Sequence, residues 1–545
     1  MGVLLPKYKK AIIDDLISNI SSNTSYYYAF AANPVSLTGG IPTISTDDYT
    51  TTFSNDWQML FGKKIANTDV MPVIKNIAWS SGTVYDRYDN TNANLHSLSY
   101  YVITDPDTVG GPHNIFMCID NANGSASTVK PDTVQTKSFS SVLDGYVWRY
   151  VASISDSIYK KFSTTSYSPI YANNTLSLSA HNYSGVDVVV VANGGFGNSG
   201  YVTYSSGVIQ SNPLPNVLQL EYTQSAIQDF YANCGIYLYN TGSSSSQLLT
   251  VQNYVHNGSG NWIILDTNAN TNAITPQVTE YIISPRVIFQ TDGDTQPKAY
   301  SLVNATTNAI SSIIITDTGT NISWANVHIQ PGYSDQAVGF NAANLYAIVP
   351  PTGGYGADPE SQLNVQGFSV AFEYNNTEGN TIPVNIHYNK IGLIKNPYSL
   401  TQNNAAVTPP TAGGLKSTYQ WTNSTFSSVL QASIFPSRTY NVGDIITGNT
   451  SGAVGTVAFA NSSTIYLTGD KTFANLEYVS SQSGLSTQIT INTLGDIYVK
   501  DIEPLYIQNL NDVQRSNSQT ESYKLIIQIW NRLIGILNAI QNQRK

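Results

Sequence analysis

The sequence predicts a mainly β protein: several β-sandwich or barrel domains joined by polar loops, with short helices at the N- and C-termini. Three observations carry that expectation. Charged residues are only 11% of the 545-residue chain, against about 25% in an ordinary soluble domain. Asn, Ser and Thr keep the surface wet instead, in runs such as Thr91 to Asn94, Ser243 to Ser246 and Asn268 to Asn272, and these side chains favour turns and resist long helices. The 37 Tyr, with abundant Val and Ile, favour strands. Finally, Ser141-Val-Leu-Asp-Gly-Tyr-Val-Trp-Arg-Tyr150 sets Tyr146, Trp148 and Tyr150 at every second position behind an Asp144-Gly145 turn. Period two puts the three rings on one face of a sheet, and the turn starts the strand. Such a face mostly serves packing.

Charge and cysteines narrow the classes. A formal charge of −10 argues against a sequence-independent grip on nucleic acid, which needs clustered Lys and Arg. The basic knots at Lys7 to Lys10, Lys63-Lys64 and Lys160-Lys161 suit solvated faces. Cys118 and Cys234 are far apart, which excludes a disulfide framework and suggests folding in a reducing compartment. The opening residues lack an export-signal pattern, and no run of about 18 apolar residues exists, so membrane insertion is not expected.

Along the chain, Pro6 can start a helix in which Tyr8, Ala11, Ile12, Leu16 and Ile20 recur at helical spacing to about Ser21, a docking helix. Helices are otherwise expected only at the C-terminus. Residues 22–175 form a first β-rich domain with strands at Leu98 to Thr104, Ile115 to Asp120 and Gly145 to Ile154. Residues 176–285 form an inserted β domain, with strands at Gly185 to Ala192, Val217 to Tyr222, Gly235 to Tyr239, Leu248 to Val255 and Trp262 to Asp266. The loop Gly194-Gly-Phe-Gly-Asn-Ser-Gly200 leads into another strand, Tyr201 to Tyr204, so no helix N-terminus follows to receive a pyrophosphate. Residues 286–400 form a further β-rich domain with strands at Ile310 to Thr316 and Ser369 to Glu373. A linker at 401–416 leads to a small β domain over 417–494. In the last segment, 495–545, Ile526, Trp530, Leu533, Leu537 and Ile540 are spaced four, three, four and three, a two-heptad apolar seam that could face a partner.

No constellation supports chemistry. His96, His113, His181, His256, His328 and His387 never fall within reach of one another in the sequence, so no transition metal is expected. Asp105-Pro-Asp107 and Asp292-Gly-Asp294 lack the further oxygen ligands of a calcium loop and suit surface turns. Asp144, Glu221, Glu360 and Glu373 select no acid/base pair, and no nucleophile elbow or Cys-His context occurs. The expectation is a non-enzyme without cofactors.

Ten segments in order carry a resemblance. The N-terminal helix is followed by Lys63-Lys-Ile65, Ile77-Ala-Trp-Ser-Ser-Gly-Thr-Val-Tyr-Asp-Arg-Tyr-Asp89, Phe116-Met-Cys-Ile-Asp-Asn121, Ser127-Thr-Val-Lys-Pro131 and Asp144-Gly-Tyr-Val-Trp-Arg-Tyr150. Later come Val349-Pro-Pro-Thr-Gly-Gly-Tyr-Gly-Ala-Asp358, Ile391-Gly-Leu-Ile-Lys-Asn-Pro397, Gly495-Asp-Ile-Tyr-Val and Gln519-Thr-Glu-Ser-Tyr-Lys-Leu-Ile-Ile-Gln528. Together they resemble the dimeric baseplate wedge subunit of contractile-tailed, T-even-like bacteriophages, the gene-eight product, in the longer form found in phages of marine bacteria. The matching motif residues are Trp79, Gly82, Tyr85, Tyr88, Asp144, Gly145, Tyr146, Trp148, Pro350, Pro351, Gly354, Asn396 and Pro397.

The resemblance implies a homodimer within each wedge of the tail baseplate, contacting other wedge proteins and fibre-bearing subunits, made and assembled in the bacterial host. It also implies that 522–529 is extended and that any helix begins near Trp530, in tension with the heptad seam. Residues 176–280 and Trp530 to Lys545 have no counterpart in the family pattern. Interface candidates are Tyr8, Ile12, Leu16, Ile526, Trp530, Leu533, Leu537 and Ile540. The alternative is a receptor- or glycan-binding tail-fibre module, for which internal repeats are expected and none is visible.

Overall fold

A computed structural model describes residues 5–22, 25–35, 58–132, 134, 139–141, 143–171, 185–195, 204–241, 246–304, 306–307, 309–330, 342–375, 378, 382–399, 401–402, 405–406, 420–469, 473–498, 504–516 and 518–529. The protein is mainly β, in several sheets and one closed barrel. It folds as two units, one made of residues 1–73 with 366–545, the other of residues 74–365. These units cut across the segments read from composition, because Val70 to Val73 pair with Gly367 to Val370, bringing together stretches that the sequence reading placed in separate domains.

In the first unit an antiparallel sheet runs in the order Thr425–Ser427, Met59–Lys64, Tyr27–Ala32, His387–Lys395, Pro504–Gln514. The central strand, Tyr-Tyr-Ala-Phe-Ala-Ala, is buried at every position. It therefore lacks the polar alternation of a half-exposed strand. Gly392 lies beneath the Phe30 ring, and a Cβ there would fall 2.5 Å from Phe30 Cε1 and 2.2 Å from the Tyr506 carbonyl oxygen, so the close approach demands glycine. A second sheet pairs Glu521–Gln528 with Gly367–Tyr374 along its full length.

The strand Glu521–Gln528 corrects the heptad reading. Ile526 pairs with Ser369 in the sheet, so it belongs to no helical seam. Tyr523, Ile526 and Ile527 are strand formers, and pairing of this segment with Gly367–Tyr374 satisfies its backbone groups across the ladder. Trp530, Leu533, Leu537 and Ile540 lie outside the described residues, as does most of the linker at 401–416.

Residues 430–493 form the closed six-stranded barrel, in the order Leu430–Phe435, Thr464–Gly469, Val454–Ala460, Ile445–Gly448, Tyr478–Ser481, Ser486–Thr493 and back to the first strand. Its interior is largely aliphatic, with Ile446, Val457, Ile465, Leu467, Val479 and Ile489 at 0–1% exposure. Closure leaves no free sheet edge.

In the second unit, Tyr101–Thr104, His113–Asn121, Tyr146–Ile154 and Phe139–Ser141 form one sheet covered on both sides. Seven strands between Ser205 and Ser284 form another, around a core that includes Leu218, Ile236, Tyr254 and Ile283. Strands at Val188–Asn193, Val287–Thr291, Lys298–Val303, Ile310–Asp317, Ala325–Ile329 and Asn344–Ile348 pair two by two around a Val- and Ile-rich core.

Helix Pro6–Ser21 forms as the periodicity predicts, with Pro at its first turn. The expectation that helices are confined to the ends is corrected by two short internal ones. Asp156–Phe162 carries Asp156 in its first turn and Lys160 and Lys161 in its last, the charge order that complements the helix dipole. Pro359–Gln362 is capped by Asp358, whose carboxylate accepts from the Ser361 N–H at 3.3 Å. No described helix is long and apolar enough to cross a membrane.

Candidate assembly surfaces

The motif residues of the second unit gather on the two faces of one sheet. Asp144 and Gly145 make the predicted turn, with Gly145 at φ +86°, a conformation that favours glycine. The Asp144 carboxylate accepts from the backbone N–H groups of Thr128 at 2.6 Å, Val129 at 3.0 Å and Tyr146 at 3.1 Å, and from the Ser127 hydroxyl at 3.3 Å. Partial burial raises its pKa, but these donations outweigh that and hold it below the usual value. The turn is thereby tied to the segment Ser127 to Val129.

Alternation then places Tyr146, Trp148 and Tyr150 on one face with Val102, Phe116, Cys118 and Tyr85. Trp148 is wholly buried, stacked on Tyr146 at 5.3 Å and met edge-on by Tyr85 at 5.7 Å. The hydroxyls knit the loops: Tyr146 donates to the Ser125 carbonyl and accepts from Tyr85 N–H at 3.2 Å, while Tyr85 accepts from Ser80 N–H at 2.7 Å. Trp79 Nε1 donates to Ser127 Oγ at 3.1 Å, and Gly82 N–H to the Ser127 carbonyl at 2.7 Å. These residues hold a rigid core and present no open binding face.

On the opposite face, Arg149 is buried and ion-paired with Asp187 at 2.6 Å, its guanidinium 5.2 Å from the Tyr355 ring centre. Tyr355 belongs to the Pro-Pro-Thr-Gly-Gly-Tyr-Gly motif, and its ring also meets Tyr88 edge-on at 6.2 Å. A Cβ on Gly356 would fall 2.4 Å from the Val151 carbonyl oxygen, so this loop packs directly against the aromatic strand. Gly354 N–H closes the turn on Pro351 at 2.7 Å. Two motifs some 200 residues apart in sequence thus share one core. The sequence reading missed the Arg149–Asp187 pair, although a lone Arg inside an apolar strand was its signal.

Pro350, Pro351 and Tyr88 also line a cleft of about 480 Å³ with Asn90, Asn321 and Ser323. Asn90 Nδ2 donates to the Ser323 carbonyl at 2.9 Å, and Trp324, next in the chain, is 42% exposed. The cleft lining is neutral and rich in amide and hydroxyl groups.

In the first unit, helix Pro6–Ser21 buries Lys9 and Ile13, partly covers Leu16, and leaves Leu5, Tyr8 and Ile12 at 59%, 65% and 50% exposure. A spacing of four puts Tyr8 and Ile12 on one face of the helix, with the N-cap residue Leu5 just before it. Asn396, at φ +51°, accepts from Tyr26 N–H at 2.7 Å through its side chain, and the Pro397 carbonyl accepts from Trp421 N–H at 2.8 Å. Both therefore anchor a turn.

Among the described residues, no three His, Cys, Asp or Glu come together as metal ligands. Asp292 accepts from the Ser323 and Trp324 N–H groups at 2.9 and 3.3 Å, and Asp294 from Asn321 Nδ2 at 2.6 Å. Cys118 and Cys234 are buried free thiols. Comparison with models of known protein families and with curated proteins finds no match for this chain.

Proposed function

We propose that the protein is a structural subunit of a phage tail baseplate wedge. It assembles as a homodimer with other wedge proteins and fibre-bearing subunits around the tail hub. The observation that carries this reading is the ordered run of motif blocks resembling the gene-eight product, several of which meet in one buried core. Function here is burial of area between rigid modules, with no turnover. Interfaces in permanent assemblies run to several thousand Å² with apolar centres. The exposed apolar residues Leu5, Tyr8 and Ile12 are the surface that supports this reading.

Electron microscopy of virions carrying an epitope tag on this chain tests the proposal: antibody density is expected at the baseplate. Label along the sheath or on the capsid would overturn it. Light scattering of purified protein at micromolar concentration is expected to give a dimer. Ile12→Asp, placed at an exposed site, should leave the melting temperature within a degree or two while reducing incorporation into wedges.

A further inference from the structure

A second cleft, of about 300 Å³, lies in the second unit where the seven-stranded sheet meets the hairpin that follows it. Gly235, Thr250 and Asp266 line one wall, and Arg286, Gln296 and Lys298 the other. Six other Lys and Arg residues are engaged by carboxylates: Lys10, Lys63, Lys130, Arg149, Lys160 and Arg515. Arg286 and Lys298 are exposed and make no ion pair among the described residues. Lys7, Lys75 and Arg438 are likewise exposed and without an ion pair among the described residues. What distinguishes Arg286 and Lys298 is that the two line one concavity in a chain with a formal charge of −10.

The walls are pinned. Arg286 bridges to Tyr300 across the backbone. The Tyr300 ring stacks on Tyr237 of the sheet, centroids 4.4 Å apart and planes 13° from parallel, and Tyr237 stacks on Tyr239 at 5.5 Å. This ladder fixes the strand that carries Lys298 against the sheet, so the cleft is formed before any ligand arrives, which removes an ordering cost from binding. Gly235 keeps it open: a Cβ there would sit 3.9 Å from Leu248 Cδ1 and 4.0 Å from Arg286 Cα, so a larger side chain would project into the space.

We propose that this cleft binds an acidic saccharide. Arg286 presents a planar fork that matches a carboxylate, and Lys298 adds a second positive charge. Asp266 would repel a bare anion, but it accepts hydrogen bonds from sugar hydroxyls, as Gln296 and Thr250 can also do. Two cations, one carboxylate and neutral donors therefore fit a polyhydroxylated monoanion, a uronic acid unit, better than inorganic phosphate. The site goes beyond the wedge reading and gives the protein a grip on negatively charged surface polysaccharide.

The test titrates the full-length protein with a galacturonic acid trisaccharide, its neutral galactose counterpart and inorganic phosphate, at low ionic strength, by calorimetry. The acidic trisaccharide should bind at least tenfold more tightly than the other two. Arg286→Ala and Lys298→Ala should each weaken it roughly tenfold, the expected effect of losing one charge-assisted contact. Gly235→Leu should block it with both charges intact, and far-UV circular dichroism should show all three variants folded. No binding of the acidic trisaccharide at 10 mM, or equal binding of phosphate, would overturn the proposal. So would an unaltered affinity in folded Arg286→Ala. None of these outcomes bears on where the protein sits in the virion, so the two readings fail separately.

Discussion

The aromatic core around Trp148 and the barrel of residues 430–493 solve the same problem with different materials. Around Trp148, rings fill the space and their hydroxyls tie loops to one another, as Tyr146 does between Ser125 and Tyr85. In the barrel, aliphatic side chains fill the space and one carboxylate organises the polar part. Glu477 accepts from the N–H groups of Thr450 and Ser451 at 2.9 Å, from Ala474 N–H at 2.6 Å and from Ser451 Oγ at 2.8 Å. Both regions gather turn N–H groups on one acid, Asp144 beside Trp148 and Glu477 in the barrel. The lesson is that the aromatic core adds a set of tyrosine hydroxyl bonds between loops, whereas the barrel relies on aliphatic packing and closure.

Four experiments press on that contrast. Trp148→Ala should cost most, about 3–5 kcal/mol by chemical denaturation. Hydrogen exchange should then quicken across 101–154 and stay slow across 430–493; equal loss in both would break the separation. Glu477→Ala should cost about 2–3 kcal/mol, because several donors lose a charged acceptor together. Exchange should rise first at the turn Gly448 to Gly452, and Glu477→Gln should recover part of the loss.

Hydroxyl deletion separates the regions more finely. Tyr146→Phe should cost about 1–2 kcal/mol by stranding the Tyr85 N–H and the Ser125 carbonyl. The buried Tyr440 hydroxyl in the barrel has no hydrogen-bond partner among the described residues, so Tyr440→Phe should be neutral or slightly stabilising in the same melting assay.

The smallest effect is on pH dependence. Burial raises the Glu477 pKa, but the donated hydrogen bonds from Ser451, Thr450 and Ala474 prevail and hold it below its ordinary value. A depressed folded-state pKa contributes stability that is fully present above the unfolded value, about 4.3, and is lost as pH falls through the folded one. Melting temperature should therefore drop on acidification below about pH 4.5, and less steeply in Glu477→Gln. An identical acid slope in wild type and variant would remove Glu477 from this account.

Much of the strand pattern was legible because it is local. Gly235–Tyr239 and Tyr146–Ile154 alternate or run apolar between turn residues, and the observed strands lie where those patterns do. Helix Asp156–Phe162 was legible in principle from Asp156 and the paired lysines, but seven residues give little periodicity to read. Pairing was not legible. Tyr27–Ala32 sits between Met59–Lys64 and His387–Lys395, and nothing near residue 30 names a partner some 360 positions away. Heptad spacing misassigned Ile526 because an apolar run fits either period when its ladder partner is out of view. The cleft of Arg286 and Lys298 had no motif, since two cations twelve positions apart acquire meaning only when a hairpin faces a sheet.

The discontinuity of the first unit has a consequence for the order of events on the ribosome. The buried strand Tyr27–Ala32 emerges early, yet its neighbour His387–Lys395 is made only after all of residues 74–365, and that neighbour's own partner, Pro504–Gln514, later still. At 5–20 residues per second the wait is on the order of tens of seconds. Throughout it, an apolar strand that can already pair with Met59–Lys64 lacks the neighbour that will cover its other edge. The nascent chain therefore has a built-in interval in which residues 74–365 are made, and can fold, before Tyr27–Ala32 gains its second neighbour.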